Sequence, residues 1–259
     1  MTETLSLRAK IEQSPMGAYQ WMIVVMAAIM NLLDGFDVLA LAFTATAIRG
    51  EFGLTGIELG YLLSAGLFGM TAGSLFLAPL ADKIGRRPLL LMAVSLSAIG
   101  MLGSAFISQY QWLGFWRVIT GLGVGGILVG TNVITSEYSS RKWRSFAISV
   151  YAAGFGIGAV LGGMFAVMLQ GEYGWRSVFL AGAILTGLLL VVLFIWLPES
   201  IDFLTSKQPK NAEVRLNLIA KKIGLAGDWK LPEKAEKVKT KLPISQLFSE
   251  KYLHSTLLI

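Results

Sequence analysis

Cysteine is absent from the 259 residues, and histidine occurs once, at position 254. Without thiols the chain makes no disulfide and no thiolate metal site, and it carries no mark of its redox compartment. The sequence shows no Ser-His-Asp pattern around that histidine and no metal-ligand cluster. Nothing therefore points to an enzyme, and no cofactor is expected. Charge is also scarce: Asp, Glu, Lys and Arg make up 15% of the residues, against about 25% in soluble domains. The first 20 residues lack a short apolar core with a small-residue cleavage site, so no removable signal peptide is expected and the first apolar run serves as its own signal.

What fills the chain is apolar residue, 54% of the total. It is gathered into six runs: Trp21 to Leu41, Ile57 to Leu77, Pro88 to Ile107, Trp112 to Ile134, Phe146 to Leu169 and Val178 to Leu197. Each approaches or exceeds the roughly 20 residues that a helix needs to cross hydrocarbon. Barrel strands are shorter and alternate in polarity, so the runs read as helices. The expected fold is an all-α polytopic bundle of six transmembrane helices.

The few cations set the orientation. Arg49 and Arg176 lie in one set of connectors and Arg117 lies inside a run; the other nineteen of the 22 Lys and Arg fall in the opposite set. The basic side is expected to face the cytoplasm. Residues 1–20 are then a cytoplasmic N-terminus, 21–197 the bundle, and 198–251 a cytoplasmic linker with four prolines and many lysines. Composition favours a solvated linker there, with Glu213 to Leu225 able to form an amphipathic helix. From Tyr252 to Ile259 the chain turns apolar again, and these residues read as the start of a seventh crossing. The net charge of +6 follows this side-specific pattern, so nucleic acid is not an expected partner; the lipid bilayer is.

Ionisable residues inside spans are expensive and default to function. Asp34 and Asp37 share a face of the first run, with Asn31 one turn earlier and Gly35 between the acids, where it can loosen the helix. Two carboxylates buried together repel, and a bound proton relieves both the repulsion and the burial cost. At 1.5 Å per residue, Asp34 lies about 10 Å below the outer end of its run and Arg117 about 7–8 Å below the same face. An Arg117 pair with Asp34 or Asp37 is expected, weakened when the acid takes a proton. Glycines at four-residue steps (Gly69 and Gly73; Gly121 and Gly125; Gly154, Gly158 and Gly162) are packing sites for close helix approach.

The connector Ala78-Pro-Leu-Ala-Asp-Lys-Ile-Gly-Arg-Arg87 resembles the signature loop of the major facilitator superfamily, with Ala78 where glycine is usual. Arg117-Val-Ile-Thr-Gly121, the glycine-rich Gly154 to Gly163 and the ending Leu197-Pro-Glu-Ser200 are similar to further motifs of that superfamily. Ala159 replaces the proline usual in drug antiporters. Leu33-Asp-Gly-Phe-Asp37 together with Thr135-Ser-Glu-Tyr138 looks like the aromatic acid:proton symporter family. The resemblance implies the N-terminal half of a twelve-helix transporter, built from two inverted three-helix repeats, with a C-terminal six-helix half as partner. It implies proton-coupled import of an aromatic or ring-cleavage carboxylate across the bacterial inner membrane, with nicotinate, sugar or dicarboxylate as other ligands of the same machinery. A non-transporting half-bundle is the reading from a different class.

The site residues expected on these grounds fall in three groups. Asp34, Asp37 and Arg117 handle the proton. Asn31, Phe36, Tyr61 and Arg117 contact substrate, with Phe68 a further aromatic. Asp82, Gly85, Arg86, Arg87, Glu137 and Arg144 form a cytoplasmic charge lock. No metal site is expected, and His254 is given no role beyond the surface.

Overall fold

The computed structural model describes residues 7–225 and 227–231. The described residues are helical, without strands. A short helix α1 (Leu7–Gln13) precedes six long ones: α2 (Ala18–Phe52), α3 (Gly56–Ile84), α4 (Arg86–Ala105), α5 (Tyr110–Tyr138), α6 (Arg144–Tyr173) and α7 (Trp175–Trp196). Two short helices follow, α8 (Ile201–Lys207) and α9 (Ala212–Ile223). Helices α2 to α7 are each long and apolar enough to span a membrane. The start of a seventh crossing and His254 lie outside the described residues.

Most of the long helices overshoot the apolar runs that announce them. Hydropathy marks the part facing hydrocarbon, whereas the helix stops only where its backbone is stopped. α2 continues through Thr44, Arg49 and Glu51 to Phe52, and ends where Gly53 turns left-handed at φ 63°. α3 starts at a capping box, with the Thr55 hydroxyl accepting from the Glu58 amide and the Glu58 carboxylate accepting from the Thr55 amide.

Packing follows a repeated scheme. α2 lies against α6 as α5 lies against α3, and α4 lies against α7. The close approaches match. A Cβ on Gly158 of α6 would strike the Leu32 carbonyl of α2, and one on Gly35 of α2 would strike the Phe155 carbonyl of α6. Likewise, a Cβ on Gly69 or Gly73 of α3 would strike the Val118 or Leu122 carbonyl of α5, and one on Gly121 would strike that of Gly66. The first three spans and the next three thus use the same contact surfaces. An odd number of crossings per unit makes the second unit run inverted.

The interior holds two apolar cores with a polar layer between them. The core at the basic end gathers Ile23, Met30, Leu90, Val94, Ile134 and Leu193. The core at the opposite end gathers Phe36, Leu41, Met101, Leu113, Val178 and Phe179. Between them sit the buried polar residues Asn31, Asp34, Asp37, Ser97, Arg117 and Thr186.

The segment after α7 is more than a bare connector. α8 and α9 pack on the basic end, burying Ile201, Leu204, Leu216 and Ile219 in the core of that end. The amphipathic stretch expected from Glu213 folds as α9.

Candidate functional site

Asp37 is 1% exposed, and its Oδ2 accepts a hydrogen bond from Ser97 Oγ of α4 at 2.7 Å. Thr186 of α7 approaches the same carboxylate without closing a full hydrogen bond. Arg117 of α5 comes alongside, with Nη1 3.5 Å from the Asp37 carbonyl. The guanidinium is anchored to α4: Nη2 donates to Ser104 Oγ at 2.7 Å and to the Gly100 carbonyl at 3.3 Å, and Nε donates to Ser104 Oγ at 3.2 Å. Its carbon lies 4.8 Å from the centre of the Phe179 ring, a cation–π contact inside the buried layer. Arg117 is therefore neighbour to Asp37, but no side-chain ion pair closes within 4 Å between it and either acid.

Asp34, one turn nearer the basic end, is also 1% exposed, and its Oδ2 has no hydrogen-bond partner among the described residues. A buried polar oxygen without a donor costs a few kcal/mol in an apolar setting, and a charged one costs more. Such an acid is stable in this place when it carries a proton or when the helices open it to water.

Asp37, Arg117 and Thr120 line a cavity between α2, α3 and α5, closed by Leu41, Leu62, Met70 and Val124. Its volume is about 30 Å³, the share of one water molecule. Small-molecule sites occupy about 300–1,000 Å³. In this arrangement the cavity admits a solvent molecule but not an aromatic acid.

The other expected contacts lie elsewhere. Asn31 Nδ2 donates to the Tyr151 carbonyl at 2.9 Å, which pins α2 to α6. Phe36 is packed against Gly162 of α6 and Gly182 of α7, on the far side of α2 from the cavity. Tyr61 and Phe68 are 72% and 70% exposed on α3. Ser97, Ser104 and Thr186 are the polar neighbours that the sequence did not announce. Ser97 and Ser104 are seven apart on α4 with Gly100 between them, which places all three on one helix face; that spacing was the available signal.

At the basic end the charged residues form two sets. In the first, Asp82 Oδ1 pairs with Arg86 Nη2 at 2.6 Å, and Gly85 makes the turn from α3 to α4 at φ 104°. Glu199, from the Pro-Glu-Ser ending, accepts from the Arg86 and Arg87 amides at 2.7 and 3.0 Å and so caps α4. Arg87 Nη2 donates to the Phe194 carbonyl at 2.6 Å. A side chain on Gly85 would be strained by that φ and would also meet the Glu199 carboxylate. Replacing Glu199 by Ala should cost about 1–2 kcal/mol through lost capping, read as a lower melting temperature of the protein in detergent; an unchanged melting curve would remove Glu199 as the tie between α4 and the end of α7.

In the second set, Glu137 accepts from Ser200 Oγ and the Ile201 amide, both at 2.9 Å, and so caps α8; it closes no ion pair with Arg86, Arg87 or Arg144. Tyr138 donates its hydroxyl hydrogen to the Glu199 carbonyl at 2.6 Å, joining the two sets. Arg144 pairs with Glu12 of α1 at 2.6 Å, while Arg8 reaches Asp202. The Arg144 hydrogen bond holds the Glu12 carboxyl below its usual value of 4.5. A depressed carboxyl contributes its stability above the unfolded value and loses it as pH falls through the folded one. Docking of α1 should therefore loosen below about pH 4.5. Protection of the Leu7 to Gln13 amides, measured as exchange relative to the intrinsic rate at each pH, should fall on acidification, and Glu12→Gln should show the lowered protection already at neutral pH.

Comparison with known proteins places this architecture. The family model described as Major Facilitator Superfamily matches residues 27–259. The chain belongs to the major facilitator superfamily. Among curated members it is 34% identical over 247 residues to the gallate transporter of Pseudomonas putida, covering 95% of this chain and 55% of that protein. It is 33% identical over 260 residues to the 4-hydroxybenzoate transporter PcaK of Pseudomonas putida, covering 99% of this chain and 58% of PcaK. Among solved structures, the proton:xylose symporter XylE superposes with a TM-score of 0.71 at 22% identity, covering 82% of this chain and 50% of XylE. The chain spans about half the length of the curated superfamily relatives it matches, and the shared part is a multi-pass membrane bundle.

Proposed function

We infer that this chain forms the N-terminal six-helix unit of a proton-coupled transporter that imports an aromatic carboxylate across the bacterial inner membrane, with its basic end in the cytoplasm. The observation that carries the reading is the polar layer: two buried acids one turn apart, with a buried arginine beside the outer one, lining or flanking a water-sized cavity. The gallate and 4-hydroxybenzoate transporters among its relatives suggest the substrate class. The positive-inside rule supports the orientation.

The roles of the residues follow from their contacts. Asp37 and Arg117 balance each other's charge inside the bundle. A proton on Asp37 removes that balance and leaves the guanidinium available to a substrate carboxylate, which it can bind in two-pronged fashion. The cavity is too small to enclose an aromatic ring, so the ring would be held where this bundle meets a second six-helix unit. α3 and α6 are the spans with the least buried surface, and their exposed Tyr61, Phe68, Val160 and Met164 would form part of that meeting face. The Asp82–Arg86 pair and the caps of Glu137 and Glu199 would hold the cytoplasmic end closed and release it as the helices rock.

The test is uptake of labelled 4-hydroxybenzoate by cells expressing the full-length protein. Accumulation above the external level that collapses on adding a protonophore supports the reading. Uptake of sugars or dicarboxylates in its place would overturn the substrate class.

A further inference from the structure

A second candidate binding site lies at the basic end, away from the polar layer. The start of α2, the end of α7 and the last turn of α9 form a groove of about 410 Å³ lined by Tyr19, Met22, Ile195, Trp196 and Lys222. One wall is apolar: Ile195 and Trp196 are 65% and 52% exposed, and the exposed Leu188, Val191 and Val192 continue that wall along α7 into the span. At the mouth stands Lys222, its Nζ 5.3 Å from the centre of the Tyr19 ring. Among the described residues no carboxylate pairs with Lys222. Arg215, also exposed, lies seven residues earlier on the same face of α9. The buried Leu216, Ile219 and Ala220 hold α9 against the bundle, so the cations are fixed relative to the wall.

An apolar wall that runs into hydrocarbon and ends at an unpaired cation has two chemical demands. A soluble anion answers only the cation, and a neutral lipid answers only the wall. An anionic phospholipid answers both, and basic pockets at helix ends on the anionic side of a membrane are suited to such headgroups. Tryptophan at this level is also suited to the interface. We propose that the groove binds one anionic phospholipid, its phosphate at Lys222 and its acyl chain along Ile195 and Trp196. The site couples α9 to α7, and so couples the segment after the bundle to the membrane itself.

The test is native mass spectrometry of the full-length protein in neutral detergent, with dioleoylphosphatidylglycerol, dioleoylphosphatidylcholine or inorganic phosphate added. Phosphatidylglycerol should be retained about five-fold better than phosphatidylcholine, the factor for one well-placed cation near a lipid surface. Lys222→Glu should remove that preference. Lys221→Glu makes the same charge change at an exposed neighbour that lines a different groove, and it should keep the preference. Trp196→Ala should weaken retention of both lipids, and inorganic phosphate should not compete. Equal losses in the two lysine variants would show diffuse surface attraction and overturn the site. So would equal retention of the two lipids, displacement by phosphate, or unchanged retention in Trp196→Ala.

Discussion

Asp37→Asn should abolish transport and destabilise the bundle, whereas Arg117→Gln should be the milder of the two changes. The asymmetry comes from what each partner can do when left alone. Arg117 is buried, with its guanidinium against Ser104, Gly100 and the Phe179 ring. A guanidinium does not shed its proton in a protein, so removing the Asp37 charge leaves a buried cation uncompensated. For a closed buried pair that loss is about 3–5 kcal/mol, a factor of roughly 150 to 5,000 in the balance of states; the open approach of Arg117 to Asp37 makes this the upper end of the expected cost. Asp37 left without Arg117 keeps its Ser97 hydrogen bond and can neutralise itself by taking a proton. The double variant Asp37→Asn/Arg117→Gln removes both charges and should recover much of the folded yield without recovering uptake. Folded yield by fluorescence-detected size exclusion, set beside uptake in the same cells, checks all three. A double variant folded no better than Asp37→Asn alone would show that the charges are not coupled.

Gly158→Val should prevent the bundle from assembling, while Gly156→Ala, two residues away, should leave it intact. Gly158 meets the Leu32 backbone of α2 so closely that any Cβ would strike a carbonyl, and backbone cannot move aside as a side chain can. Gly156 has nothing within 4 Å of the position a Cβ would take. Helix contacts in lipid depend on this fit, since burial from water offers no drive there. Overpacking of about 3 kcal/mol is a large part of a marginal stability. The measurement is monodisperse yield and melting temperature in detergent. A Gly158→Val protein that melts like the parent would mean that α2 and α6 do not meet at this glycine.

These contrasts show why some of the site was legible in the sequence. Asp34, Asp37 and Arg117 stand out because a charge inside an apolar run has no cheap explanation. The depth argument from helical rise put Arg117 level with the acids, and its 3.5 Å approach to the Asp37 carbonyl agrees. The six spans were visible for the same reason, as runs of residues that only lipid or a packed interior can accommodate.

Ser97, Ser104 and Thr186 were not legible. A hydroxyl in a membrane helix commonly satisfies itself on its own backbone, as Thr44 does on the Ala40 carbonyl. A single hydroxyl gives no sign of also meeting a buried ion, as Ser104 does, and only the shared face of Ser97, Gly100 and Ser104 offered a hint. The partners of Glu137 were hidden for a related reason. Its nearest cations in sequence suggested a charge lock, but the free amides at the start of α8 are the donors its carboxylate meets, and α8 is brought there by tertiary packing. The docking of α8 and α9 was obscured by composition, since Lys207, Lys221 and Lys222, which help the segment read as a linker, lie on exposed faces of these two helices.

The central claim is that the buried acids couple substrate movement to protons. The most direct measurement reconstitutes the full-length protein in liposomes, imposes an inward proton gradient, and follows labelled 4-hydroxybenzoate and lumenal pH together. Accumulation of substrate accompanied by lumenal acidification, both lost in Asp34→Asn and Asp37→Asn, is the predicted result. Accumulation that persists when the gradient is absent, or that proceeds unchanged in both aspartate variants, would contradict it.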